Sequence, residues 1–158
     1  MKPSDEIRQK LADSWIADLY ERSVRAQRTR AFHLDIPERE NKPEILHTLL
    51  GVELKVGNRR FACPDLATAR YMRVFARIGV RSFAVPYDIT KISTLADELE
   101  TAWQRSLLML ETESANLTEP QRKRHRSRLF KSVRSELAEI GPGERMPQFN
   151  QSTKQRKT

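Results

Sequence analysis

A mixed α+β fold is what this chain predicts: a small three- to four-stranded mixed sheet with a β-hairpin, flanked by helices, plus a C-terminal basic helix and a disordered tail. Three observations carry that expectation. Gly57-Asn58 sits between two alternating apolar runs, the sequence form of a two-residue hairpin turn. Apolar residues recur at three-to-four spacing in several separate stretches, the period of amphipathic helices. Hydrophobic residues make up 38% of 158 and charged residues 32%, enough for one modest core with a sizeable part left outside it.

The elements follow in order. Ser4 is placed to cap a helix whose first turn carries Asp5 and Glu6, acids that suit a helix N-terminus. Ile7, Leu11, Trp15, Leu19 and Tyr20 continue at helical spacing, and Arg22, Arg25, Arg28 and Arg30 suit a C-terminus. One long helix is therefore expected over about 5–29. Phe32, Leu34 and Ile36 alternate with His33 and Asp35, which predicts a short strand ending at Pro37. After a charged loop from Glu38 to Lys42, Pro43 opens and Gly51 closes a short helix carrying Ile45, Leu46, Leu49 and Leu50. The Gly57-Asn58 turn pairs Val56 with Arg59, Leu54 with Phe61 and Val52 with Cys63. That register puts Val52, Leu54, Val56, Phe61 and Cys63 on one face, and Glu53, Lys55, Arg60 and Ala62 on the other.

Asp65 caps and Gly79 stops the next helix, whose apolar side is Leu66, Ala69, Met72, Phe75, Ala76 and Ile78. Ser82 to Pro86 reads as a strand, and so short a strand–helix–strand unit predicts a right-handed crossover with a parallel pair. A helix over about 93–111 turns Ile92, Leu95, Leu99, Ala102, Trp103, Leu107 and Leu110 inward. Thr118-x-x-Gln121 has the form of a capping box, with Pro120 in the first turn of a last helix that ends at Gly141-Pro142. Residues 141–158 offer little to bury and are expected to be disordered. The organisation expected is a single α/β domain over 1–117, a basic amphipathic helix over 118–140 and a tail over 141–158.

Charge is unevenly spread. Residues 1–120 hold 18 basic and 18 acidic residues, whereas residues 121–158 hold 11 and 3, which is the entire net charge of +8. Arg122, Lys123, Arg124, Arg126, Arg128, Lys131 and Arg134 follow one another with no acid between them. Such a block seeks phosphate backbone or an acidic protein face, or serves only to solubilise. The apolar stripe of that helix, Leu129, Phe130, Val133, Leu137 and Ile140, covers only its second half, so only that half can dock. Cations occupy the positive end of the helix dipole, with Glu136 and Glu139 near the negative end, a conflict that a bound polyanion relieves. Arg70, Arg73 and Arg77, within about 60° on one helix face, form a second candidate patch, and Tyr71 and Phe61 beside them could stack on bases. The alternative for that face is a solvated surface balanced by acids elsewhere.

Several chemistries are excluded. One cysteine, Cys63, allows neither an internal disulfide nor a multi-cysteine zinc site, and reads as a small buried hydrophobe. His33, His47 and His125 lack ligand spacing, and the five glycines form no phosphate-cradling loop. No uncharged run approaches the roughly 20 apolar residues of a membrane helix, and no secretory signal is visible, so a cytoplasmic protein with no membrane partner is expected.

Glu53-Leu54-Lys55 is the one pattern that looks catalytic. An acid and a lysine two apart on a strand point to one side, where they can hold a divalent cation and stabilise charge during phosphodiester cleavage. The order helix–strand–strand–strand–helix–strand resembles the core of the PD-(D/E)xK nuclease superfamily, with Glu53-x-Lys55 as its (D/E)xK half and Asp35 as its upstream aspartate. The resemblance spans about residues 5–86 and implies a Mg²⁺-dependent endonuclease. Unlike the family, the motif here lies on the second strand, and the strand before the helix, Arg59 to Cys63, carries no acid.

Three functions are consistent with this sequence. The first is a nucleic-acid-binding module that uses the basic helix and tail and needs no cofactor. The second is a protein–protein adaptor, docking its cationic extension on an acidic surface, with the first helix and the Trp103 helix available for pairing into a homo-oligomer. The third is the metal-dependent nuclease, the only one that calls for Mg²⁺.

Overall fold

The computed structural model describes residues 3–142. Its elements are α1 (Pro3–Leu11), a 3-10 turn (Ala12–Ser14), α2 (Ile16–Leu19) running into a π-helical turn (Tyr20–Val24), β1 (Thr29–His33), β2 (Glu44–Thr48), β3 (Gly51–Val56), β4 (Arg59–Cys63), α3 (Leu66–Ile78), β5 (Ser82–Pro86), a second 3-10 turn (Ile89–Lys91), α4 (Ile92–Glu113) and α5 (Glu119–Ile140). The fold is α+β, with strands in two antiparallel sheets, β2-β3-β4 and β1-β5. The expected tail falls, beyond Gly141 and Pro142, outside the described residues.

Local signals produced the elements they mark. The β3–β4 hairpin has the expected register, with Val52 opposite Cys63, Leu54 opposite Phe61 and Val56 opposite Arg59, and Gly57 supplies the positive φ of its turn. Leu54, Val56 and Cys63 are buried, and burial pushes the Cys63 thiol above its ordinary pKa. Asp65 caps α3 by accepting from the Thr68 N–H, and Gly79 ends it in the left-handed conformation. Thr118 and Gln121 form a reciprocal capping box at the start of α5.

Four expectations are corrected. The first helix is not continuous over 5–29. Ala12 takes φ +47 and Trp15 is extended, so the chain breaks between α1 and α2. The break turns Trp15 fully into the core while Ile7, Leu19 and Tyr20 stay buried. Helical spacing thus marked the inward face correctly without securing an unbroken axis. The strand foreseen at 32–36 pairs further upstream, over Thr29–His33, although Leu34 and Ile36 are buried and Asp35 is exposed as alternation requires. Residues 44–48 form a strand and not a helix, pairing Ile45 with Leu54 and Leu46 with Glu53. A short apolar run reads equally well in either period, and the neighbouring hairpin edge decided it. Leu49 and Leu50 then fall at the tip of a second hairpin, fully exposed.

The fourth correction concerns topology. β5 does not pair in parallel with the hairpin; it lies antiparallel to β1, with Ala31 opposite Ala84. The reason lies on the edge of β5. The Ala84 N–H donates to the Tyr20 hydroxyl at 2.8 Å, and the Tyr71 hydroxyl donates to the Ala84 carbonyl at 2.5 Å. Both backbone groups that a further strand would need at this position are taken by side chains. The two tyrosines join Phe75 and Phe83, whose rings stack 4.3 Å apart, in a buried aromatic cluster between α3 and the small sheet.

Tyr20 also donates to the Gly141 carbonyl at 2.8 Å, so one hydroxyl joins the π-helical turn, β5 and the end of α5. Burial pushes its pKa from 10.0 to about 12. The folded state therefore holds a proton that the unfolded chain releases, so this contribution is complete below pH 10 and disappears as pH rises toward 12. Tyr20→Phe is expected to cost about 1–3 kcal/mol at neutral pH. Urea midpoints measured against pH should show that cost shrinking between pH 10 and 12, and a constant gap would place the phenol in water.

Candidate functional site

Helix α5 is held to the body by its second half. Leu129, Phe130, Val133 and Leu137 are buried in the common core, with Trp103 of α4 edge-on to Phe130 at 4.9 Å. Each such side chain contributes about 1.5–3 kcal/mol by leaving water. Polar contacts fix the same half. Arg134 donates to the Ile78 carbonyl at 2.9 Å, and Arg25 donates to the Ile140 carbonyl at 2.6 Å. Glu136 is paired with Arg8 and accepts from the Trp15 indole N–H at 3.2 Å. Glu136 is thus compensated within the chain, while Glu139, nearer the negative end, is exposed without a partner among the described residues.

The cations of the first half and middle are treated differently. Lys123, Arg124, Arg128 and Lys131 are exposed, and none has an ion-pair or hydrogen-bond partner among the described residues. Arg124, Arg128 and Lys131, at i, i+4 and i+7, line the side of α5 opposite its apolar stripe. Arg122 is exposed and donates only to the Leu117 carbonyl of its own N-terminal turn. Arg126 is the exception, forming a two-pronged pair with Glu40 at 2.8 and 2.6 Å while its guanidinium lies over Phe130, 5.2 Å from the ring centroid. That pair holds the Glu40 carboxyl below its ordinary range and raises Arg126.

Glu40 reaches Arg126 because its loop is clamped. The Asn41 side-chain amide donates to the carbonyls of Pro37, Arg39 and Ala76 at 3.0–3.1 Å, and the Asn41 N–H donates to Arg77 O at 3.2 Å. The carbonyls of Ala76 and Arg77, near the end of α3, thus accept from this loop, and that of Ile78 from Arg134. Gly79 allows the approach, since a Cβ there would strike the Arg39 backbone. Between the loop, α5 and α4 lie two adjoining clefts of about 450 and 410 Å³ that share Glu40, Arg126 and Phe130. Their cationic lining is Arg39, Lys42, Arg77, Lys123, Arg126 and Arg134, against Glu40 as the single carboxylate. Trp103 and Phe130 floor the clefts but are almost fully buried, so no ring face is offered to a base.

The second basic patch is corrected. Arg70, Arg73 and Arg77 face α4 and pair with its acids: Arg70 with Asp97 and Glu100, Arg73 with Glu100 at 3.0 Å and Arg77 with Glu100 at 3.4 Å. Asp97 raises the Arg70 pKa, whereas burial and then Arg73 lower that of Arg77. These arginines join α3 to α4, and Tyr71 beside them is wholly buried. Trp15 and Trp103 are likewise used up in the core of one chain, so neither is open for pairing between subunits.

The nuclease candidates are held by different arginines. Asp35 pairs with Arg59 at 2.7 Å and Arg81 at 3.3 Å, while Glu53 pairs with Arg60 at 3.4 Å. Arg59 and Arg60 leave β4 on opposite faces, which separates Asp35 from Glu53 and Lys55. Among the described residues, no group of three or more His, Cys, Asp or Glu side chains is gathered as a metal site, and no helix is long and apolar enough to cross a membrane. No family model matches the chain, nor does any curated protein or solved structure.

Sequence reasoning missed Arg39, Glu40, Asn41 and Lys42, which it read only as a charged loop. Nothing local marks them, because their role depends on the distant Gly79 and Arg126. Gly79→Ala is expected to cost about 3 kcal/mol or more, the left-handed backbone and the clash with Arg39 adding together. Denaturant unfolding measures it, and a loss below about 1 kcal/mol would mean that the loop is not seated on α3.

Proposed function

We propose that this protein binds nucleic acid through its phosphate backbone, with the outer face of α5 as the contact surface. One observation carries the reading. The arginines of α3, Arg70, Arg73 and Arg77, are paired with acids of α4, yet Lys123, Arg124, Arg128 and Lys131 succeed one another along α5, exposed and without partners among the described residues. Four free cations close together along one helix cost stability through mutual repulsion, and a row of phosphates removes that cost. The absence of an available aromatic face among them favours contact with the backbone over reading of bases.

Removal of everything after residue 120 cannot test this, because Leu129, Phe130, Val133 and Leu137 belong to the core. Point substitutions can. Replacing Arg124, Arg128 and Lys131 by Gln should reduce the log–log dependence of affinity on salt by about 0.9 for each duplex phosphate that the variant no longer neutralises. Arg70→Gln and Arg73→Gln should leave that slope unchanged. Fluorescence anisotropy with a labelled duplex across a salt series measures both, and an unaltered slope in the triple variant would overturn the reading.

The adaptor alternative is favoured by a different observation, the two leucines at the β2–β3 tip. Leu49 and Leu50 are exposed completely, and hairpin tips seldom carry adjacent large apolar side chains. An apolar finger of this kind fits a protein groove. Leu49→Ser with Leu50→Ser should abolish any pull-down partner that survives nuclease treatment, without changing nucleic-acid affinity. Partners retained by that variant would count against the adaptor.

A further inference from the structure

We infer that the cleft between the 37–42 loop and α5 is a phosphate subsite, and that Glu40 occupies it as an internal substitute for the phosphate. The inference rests on the nucleic-acid reading above and adds to it a specific pocket and a means of restraint.

The geometry supports a substitution of one anion for another. Glu40 meets Arg126 through two oxygens and two guanidinium nitrogens, the arrangement that arginine also makes with a phosphate. The Arg126 guanidinium is fixed from below by the Phe130 ring, so its donors keep one direction whichever anion faces them. Arg39, Lys123 and Arg134 line the same cleft, with no carboxylate but Glu40 among them. One negative charge leaves this lining strongly positive, and a phosphate diester or polyphosphate that displaced Glu40 would meet several cations at once. Glu40 sits on a loop and is more than a third exposed, so its side chain can swing toward water while Asn41 keeps the backbone in place. Lys123 lines this cleft beside Arg126 and lies on the flank of α5 between it and Arg124, so a chain of phosphates that rounds this flank from the outer face reaches the cleft without a change of fold.

A carboxylate in this position restrains the site. It competes with the ligand for Arg126, and its loss should strengthen binding beyond what the removal of one negative charge does elsewhere. Glu119→Gln supplies the comparison, since Glu119 is an exposed acid in the first turn of α5 without a partner among the described residues.

The experiment measures a short labelled duplex by anisotropy and inorganic tripolyphosphate by calorimetry. It uses the full chain and four proteins: wild type, Glu40→Gln, Glu119→Gln and the double variant Glu40→Gln/Arg126→Gln. Glu40→Gln is expected to bind both probes about three- to tenfold more tightly than wild type, with a salt slope on duplex steeper by about 0.9. Glu119→Gln should change affinity much less and leave the slope alone, and adding Arg126→Gln should abolish the gain. If Glu40→Gln gains no more than Glu119→Gln, or keeps its gain without Arg126, the substitute-phosphate role is overturned while the nucleic-acid reading stands. If duplex fails to bind any variant but Glu40→Gln gains affinity for tripolyphosphate, the subsite stands and the nucleic-acid reading falls. If neither probe binds, both are overturned.

Discussion

Burial of the apolar stripe of α5 is the constraint on which the rest of this structure depends. Leu129, Phe130, Val133 and Leu137 can leave water only by facing the common core, and that single orientation sends Arg124, Arg128 and Lys131 outward. The cations have no say in the matter, since a few tenths of a kcal/mol for a surface charge is small beside the burial of one leucine. A helix with charges set against its own dipole is thereby held in place by its other half. Glu136 and the last carbonyls on the C-terminal side are met within the chain, by Arg8 on Glu136 and by Arg25 and Tyr20 on the carbonyls. The N-terminal side is left to whatever anion comes.

The same economy of polar groups divides the strands into two sheets. A strand edge with free N–H and C=O groups recruits a neighbour, and Tyr20 and Tyr71 remove that option at Ala84 by bonding both groups with buried hydroxyls. β5 accordingly pairs only with β1, and the three-stranded meander packs separately against α3. This separation frees the 37–42 segment to run over the end of α3, where Asn41 anchors it and Gly79 gives it room. The candidate site is thus a consequence of how polar backbone is satisfied, as much as of where basic residues occur.

The candidate site was half legible in the chain. Clustering of Lys and Arg after residue 121 marks α5 at once, and the half-length apolar stripe correctly separates the docking half from the open half. Which cations stay free was not legible. Arg126 and Arg134 belong to the same run as Arg124 and Arg128, yet one meets Glu40 and the other the Ile78 carbonyl, because they lie on the flank that turns toward the body. Arg70, Arg73 and Arg77 present as strong a pattern as any in the chain, and Asp97 and Glu100, more than 20 residues away, draw it against α4.

What the sequence by itself determined is local: the Gly57-Asn58 turn and its register, the Asp65 and Thr118 caps, the stop at Gly79, and the inward stripes of α4 and α5. Each is decided by the conformational preference or hydrogen bonding of residues within one or two turns, so the information is complete where it stands. Only the tertiary structure decided the break at Ala12, the conversion of residues 44–48 to a strand, the antiparallel partner of β5, and the pairing of Glu40 with Arg126. Those outcomes depend on groups far apart in the chain competing for the same buried space or the same hydrogen-bond donors, and such competition has no signature in any short window of residues.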